Sequence, residues 1–127
     1  MTNSKLVAIL GAGAWGTALA SVAIANGHEV RVWSRRGSQT LAEVIQGADI
    51  VLSAVSMKGV RTITSQLQSL PVSPETIFVT ATKGLDPETT CTPSQIWQEA
   101  LSAHAVVVLS GPNLSKEIEQ ELPAASV

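Results

Sequence analysis

Residues Val7-Ala8-Ile9-Leu10-Gly11-Ala12-Gly13-Ala14-Trp15-Gly16 constrain the fold of this chain more than any other stretch. An apolar run of strand length ends in Gly-x-Gly-x-x-Gly and passes directly into an alanine-rich helical segment. In that context the glycines are a dinucleotide-binding fingerprint. Gly11 permits the tight turn, and Gly13 lets backbone N–H groups approach a pyrophosphate. Gly16 lets helix and strand pack closely, and the helix N-terminus at Ala14 faces the anion. A glycine-rich turn in some other α/β protein is the competing reading, and the correct flanks on both sides weigh against it.

The rest of the chain supports the same fold class: an α/β, doubly wound, mainly parallel sheet with helices on both faces. Strands are expected over Lys5–Leu10, Glu29–Trp33, Asp49–Val55, Thr76–Thr82 and Ala105–Leu109. The last, nearly all valine, reads as central. A first helix runs from Ala14 to Asn26 and is ended by Gly27. Thr40-Leu41-Ala42-Glu43 fits a capping box opening a short helix to about Gln46. Val60, Ile63, Leu67 and Leu70 form one apolar helical stripe. Thr92-Pro93-Ser94-Gln95 supplies an N-cap, a first-turn proline and a capping-box glutamine for a helix carrying Ile96, Trp97 and Leu101. Asn113 is placed to cap a final helix containing Ile118.

At 127 residues the chain is expected to be one domain. Leu122 to Val127 reads as a strand just beginning, which suggests a chain cut before its sheet is complete. A net charge of −2 gives no electrostatic reason to expect nucleic acid or an anionic membrane as partner. No apolar run is long enough to span a bilayer. The polar start Met1 to Lys5 does not resemble a signal peptide, so a cytoplasmic location is expected. The single cysteine, Cys91, excludes an internal disulfide and a cysteine-rich metal site, and no metal is expected.

The strand ends carry the candidate chemistry. Ligands of open α/β sheets bind outside the carboxyl ends of the strands. The second strand ends in Trp33-Ser34-Arg35-Arg36, with no acid to bind ribose hydroxyls, and Glu29 lies at its other end. A hydroxyl and two guanidiniums suit a 2′-phosphate, so NADP(H) is favoured, with NAD(H) also accommodated. Solvated loop arginines are the alternative. Lys83 leaves the fourth strand on the cofactor side, where a lysine holds a phosphate, polarises a carbonyl or simply reaches solvent. Gly111-Pro112-Asn113 offers a backbone N–H, an amide and a helix start, either an anion site or a plain cap. Lys58 with Gly59 reads as a solvated loop charge near the cofactor. His28 reads as a turn residue, His104 lies on the opposite rim, and Cys91 is assigned no chemistry. Trp33 and Trp97 read as packing, while Trp15 is placed to lie against the nicotinamide side.

Three segments together resemble the bacterial-type NAD(P)-dependent glycerol-3-phosphate dehydrogenase family. They are Gly11 to Ala20, Ala81-Thr82-Lys83-Gly84-Leu85, and Ser110-Gly111-Pro112-Asn113-Leu114-Ser115-Lys116-Glu117-Ile118. The resemblance covers only the family's N-terminal, cofactor-binding domain. It implies reversible transfer of hydride between NAD(P)H and dihydroxyacetone phosphate, giving sn-glycerol 3-phosphate for phospholipid synthesis. By this resemblance Trp15, Arg35 and Arg36 contact NADPH, Lys83 contacts cofactor and substrate, Gly111 and Asn113 the substrate, and Ser115 the cofactor.

Two departures stand out. The family carries a longer segment between the second strand and the following helix, whereas here Arg36 reaches Thr40 almost at once. The family's general acid/base lysine belongs to a C-terminal helical domain not present in these residues, so no catalytic residue is assigned. The expectation is cofactor binding with little turnover, with a homodimeric parent left open. A fragment of a β-hydroxyacid or ketopantoate-type reductase is one alternative, distinguished by a preference for carboxylate over phosphorylated substrates. A non-catalytic NADP-binding module is another, distinguished by affinity that follows the oxidation state of the nicotinamide.

Overall fold

The computed structural model describes residues 4–82, 86 and 88–109. Five strands and four helices alternate: β1 (Leu6–Leu10), α1 (Ala14–Ala25), β2 (Glu29–Trp33), α2 (Leu41–Ile45), β3 (Ile50–Ser53), α3 (Met57–Gln68), β4 (Ile77–Thr80), α4 (Pro93–Ala100) and β5 (Val106–Val108). All strand pairs are parallel, and the order across the sheet is β2-β1-β3-β4-β5. The expected doubly wound architecture is therefore present.

The strands are apolar because both of their faces are covered. Residues of β1 alternate between two cores, since successive side chains of a strand point to opposite faces. Ala8 and Leu10 join Val51 and Phe78 against Leu41, Val44 and Ile45 of α2, Val60, Ile63 and Leu67 of α3, and Ile96 and Trp97 of α4. Val7 and Ile9 face the other way and pack on Ala20 of α1, with Leu19, Val30, Ile50 and Leu52 around them. In the larger core Phe78 stacks on Trp97 with ring centroids 5.4 Å apart, a contact worth about 0.5–1.5 kcal/mol beyond its buried area.

Chain direction creates a crevice. From β1 the chain crosses through α1 to β2 on one side, then returns through α2 to β3 on the other side of β1. Right-handed crossovers running in opposite directions place α1 on one face of the sheet and α2 on the other. The carboxyl ends of β1 and β3 therefore diverge, and open sheets of this kind bind ligands at that switch point.

α2 has only five residues, far below the length at which a helix stands alone. Both its ends are tied instead. Thr40 and Glu43 form the expected capping box, and Arg31 of β2 donates from Nη1 to the carbonyls of Glu43 (3.3 Å) and Gln46 (2.8 Å). A guanidinium on the last carbonyls also suits the negative end of the helix dipole. Arg31 gave no local sequence signal for this role.

Two expectations need correction. β5 is not central: among the described residues it is an edge strand pairing only with β4, and Val107 is 49% exposed. An unbroken valine run reports burial propensity, not sheet position. α3 begins at Met57, so Lys58 and Gly59 lie in its first turn and not in a loop. Cys91 lies in the loop before α4, half-buried against the larger core. The expected final helix around Asn113 and Ile118 and the incipient strand from Leu122 lie outside the described residues.

Candidate functional site

The glycine loop has the geometry its sequence requires. Gly11 has φ +113°, and a Cβ there would come within 2.9 Å of the Ala54 carbonyl oxygen on the neighbouring chain segment. Its N–H donates to the Trp33 carbonyl at 2.8 Å, tying the end of β1 to the end of β2. A Cβ at Gly16 would overlap the Gly11 carbonyl oxygen, so α1 approaches β1 as closely as backbone allows. Space around Gly13 is different: a Cβ there meets nothing within 4 Å. The first turn of α1 opens onto free volume.

That volume has two parts, joined at Gly13, Ala54, Val55 and Ser56. The first is lined by Gly11, Ala12, Trp33, Ser34, Arg35, Arg36, Gly59 and Ile63 as well. The second adds Ala14, Trp15, Met57, Ala81 and Thr82. Thus Gly11, Gly13, Ala14, Trp15, Ser34, Arg35 and Arg36 all line one continuous cleft, while Gly16 lies buried behind it. Sequence reasoning read Ile63 as core stripe and gave Met57 no role in the site. Both enter because α3 starts at the rim and turns two helix faces toward the cleft. Lys83, Gly111, Asn113 and Ser115 lie outside the described residues.

Charge within the cleft is of one sign. Among the described lining residues there is no acid, and Arg35 and Arg36 supply two guanidiniums. They sit on a turn closed by the Gly37 N–H donating to the Ser34 carbonyl at 3.0 Å. Arg35 Nη2 lies 3.9 Å from where a Cβ of Gly59 would be, so the guanidinium reaches the start of α3.

Helix starts add partial positive charge. A helix leaves its first backbone N–H groups without internal partners. α1, with N-cap Gly13, and α3, with N-cap Ser56, have neither a side-chain cap nor an acid in the first turn. By contrast α4 has a complete capping box through Thr92 and Gln95, as α2 does through Thr40 and Glu43. The capping bond to Thr40 holds the Glu43 carboxyl below its usual range. The two helix starts that line the cleft are those left open.

The second part of the cleft is mainly apolar, with Trp15 on its wall. Trp15 Nε1 is buried and has no hydrogen-bond partner among the described residues. The Thr82 hydroxyl donates to the Val55 carbonyl at 2.6 Å and joins the two strand ends forming this wall. Other titratable residues stand away from it. His28 Nδ1 accepts from the Lys5 N–H at 3.1 Å, and His104 rests edge-on against Phe78 with Nε2 3.0 Å from the Ser73 carbonyl. No cluster of three or more His, Cys, Asp or Glu placed to hold a metal occurs among the described residues. None of their helices is long and apolar enough to cross a membrane.

A parallel sheet with a glycine-rich turn, an uncapped helix start and a cleft at the switch point defines a Rossmann-type dinucleotide-binding domain. The model of the family described as NAD-dependent glycerol-3-phosphate dehydrogenase N-terminus matches residues 6–41 and 37–127, and the chain belongs to this family. The two matched stretches meet at the short connection into α2. Glycerol-3-phosphate dehydrogenase [NAD(P)+] from Nostoc sp. is 74% identical over 121 residues, which are 95% of this chain and 39% of that protein. The same-named protein of Synechocystis sp. is 57% identical over 95% of this chain and 38% of its own length. The crystal structure of glycerol-3-phosphate dehydrogenase from Coxiella burnetii superposes with a TM-score of 0.89 at 25% identity, covering 97% of this chain and 46% of that one. The chain thus spans about two-fifths of the length of the curated relatives it matches.

Proposed function

We propose that this chain is the cofactor-binding domain of a cytoplasmic NAD(P)-dependent glycerol-3-phosphate dehydrogenase, with NADP(H) preferred over NAD(H). The parent activity is reversible reduction of dihydroxyacetone phosphate to sn-glycerol 3-phosphate, a step toward phospholipids. The observation carrying the cofactor reading is the open start of α1 at Gly13, facing free volume between an apolar wall and two arginines.

The residues fit the group. Pyrophosphate meets the orphan N–H groups of α1, where the helix dipole adds to their attraction. Gly13 leaves the approach clear. The adenosine end occupies the first part of the cleft, against Gly59 and Ile63, with Ser34, Arg35 and Arg36 toward the 2′-phosphate. An arginine fork matches phosphate oxygens in a way that ribose hydroxyls do not reward. The nicotinamide end lies in the second part, where Trp15 excludes water from one side and Ala81 and Thr82 form the floor. When bound, the nicotinamide supplies or accepts hydride. Lys83 holds substrate and cofactor together, Gly111 and Asn113 hold the substrate, and Ser115 holds the cofactor, as the family resemblance implies. The proton donor belongs to the parent's helical C-terminal domain. General acid–base catalysis is worth about 10²–10⁴-fold, so this chain by itself binds cofactor with little or no turnover.

Fluorescence titration with NADPH and NADH tests this reading. Saturable binding is expected, tighter for NADPH by about tenfold or more, since hydrogen bonds to charged groups contribute about 1.5–3 kcal/mol. The double variant Arg35→Ala/Arg36→Ala should bring NADPH to the NADH affinity. Equal affinity for both in the unaltered protein refutes the 2′-phosphate assignment, and no binding of either refutes the site. Oxidation of NADPH by dihydroxyacetone phosphate at a substantial rate refutes the dependence on a further domain.

A further inference from the structure

We propose that Gly59 is a specificity-determining residue of the adenosine end of the cleft, where bare backbone at the start of α3 makes the room that a purine needs. The inference rests on the dinucleotide reading above and extends it to a residue with no side chain. Gly59 lines the first part of the cleft together with Val55, Ile63 and Arg35. Residues four apart lie on one helix face, so Gly59 and Ile63 form one surface, bare at one end and apolar at the other.

Comparison with the other glycines of this region shows why position 59 is different. The fold demands Gly11 and Gly16, the first by its positive φ and both by backbone that a Cβ would strike. Gly59 meets no such demand. Positive φ among the described glycines occurs at Gly11, Gly27 and Gly47, and not at Gly59. A Cβ at Gly59 would lie 3.5 and 3.6 Å from Cβ and Cγ2 of Val55 and 3.9 Å from Arg35 Nη2, all ordinary contact distances. Glycine inside α3 also weakens the helix relative to alanine, because it loses more backbone freedom on folding. The fold therefore gives no reason for glycine here, and the cleft does. Every atom that a Cβ would meet belongs to a cleft-lining residue, so a longer side chain grows into the space between Val55 and the Arg35 guanidinium. A flat ring fits against the backbone there, with Ile63 beside it and a guanidinium, which stacks on aromatic faces, close by.

Dissociation constants for adenosine 2′,5′-bisphosphate and NADPH, with the thermal midpoint, measured on the protein, Gly59→Ala and Gly59→Leu, test the assignment. The alanine variant should melt no lower than the unaltered protein and bind both ligands a few-fold more weakly. The leucine variant should lose about tenfold in affinity for both, since overfilling a packed space costs on that order. Unchanged affinity in Gly59→Leu overturns the proposal. A lower midpoint in Gly59→Ala also overturns it, because glycine would then serve the fold. Should Gly59→Leu fail to fold, Gly59→Ala decides alone, and affinity equal to that of the unaltered protein is then fatal. If the unaltered protein binds neither ligand, the dinucleotide reading falls and this proposal with it. If it binds both and the variants bind as well, only the role of Gly59 fails.

Discussion

α1 and α4 both follow the carboxyl end of a strand in the same sheet, but their first turns are finished differently. In α4 the Thr92 hydroxyl accepts from the Gln95 N–H at 3.3 Å, while Gln95 Oε1 accepts from the Thr92 N–H at 2.7 Å. In α1 the N-cap is glycine, and no side chain replaces what it lacks. The same contrast separates α2 from α3. Sequence composition does not explain it, since Ser56 has a hydroxyl able to cap α3 and makes no such bond. Position does: α1 and α3 border the cleft, and there the first-turn donors are left without a side-chain cap. Where a helix serves only the fold, its own side chains complete it.

The sharpest way to break this comparison is to give α1 the cap it lacks. Gly13 has φ −72° and ψ −174°, open to any residue, and free space beyond its Cα. Gly13→Asp should therefore raise the thermal midpoint slightly, by at most about 1 kcal/mol of stability. NADPH affinity should fall about 100-fold or more, because a like charge at a binding surface costs several kcal/mol. Stability and binding moving in opposite directions is the signature. If both rise or both fall, α1 is not held open for an anion.

The complementary change strips the finished helices. Thr92→Ala and Thr40→Ala should each cost about 0.5–2 kcal/mol in urea unfolding and leave NADPH affinity within error. A loss of affinity from either would show that the capped helices also shape the site.

Acid sharpens the comparison further, at smaller amplitude. The Glu43 carboxyl is held low by its bonds to Thr40, and the Asp86 carboxyl is held low chiefly by Thr89, with Arg61 assisting against burial. Both folded-state values lie below the unfolded ones. The stability they contribute is thus complete above about pH 5 and is lost as pH falls through the lowered values. Urea midpoints should hold steady from neutrality to about pH 5 and decline below it. Asp86→Asn should flatten part of that decline, and an unchanged slope would refute the assignment.

Features encoded by neighbours in sequence were legible before any coordinates. Both capping boxes and the glycine turn depend on residues a few positions apart, and each has the expected form; the arginines after β2 line the cleft. Features made between distant elements were not. The grip of Arg31 on α2 and of Arg61 on Asp86 spans 12 to 25 positions with no periodic pattern. The edge position of β5 escaped notice because three valines pack equally well in a central strand or against a single neighbour. Lys58 and Gly59 read as loop because the apolar stripe starts only at Val60, whereas both lie in the first turn of α3, where Gly59 sits beside Val55 and Arg35.

The turn from Ser34 to Gly37 has one more consequence. Because it is already closed by its own backbone hydrogen bond, the two arginines it carries are presented before any ligand arrives. Little backbone freedom remains to be lost at that turn, so on the proposed reading attraction to a phosphate is offset by the ordering of side chains but not of a loop. Preorganisation of this kind favours association at the rate of encounter, with discrimination expressed mainly in how long the ligand stays.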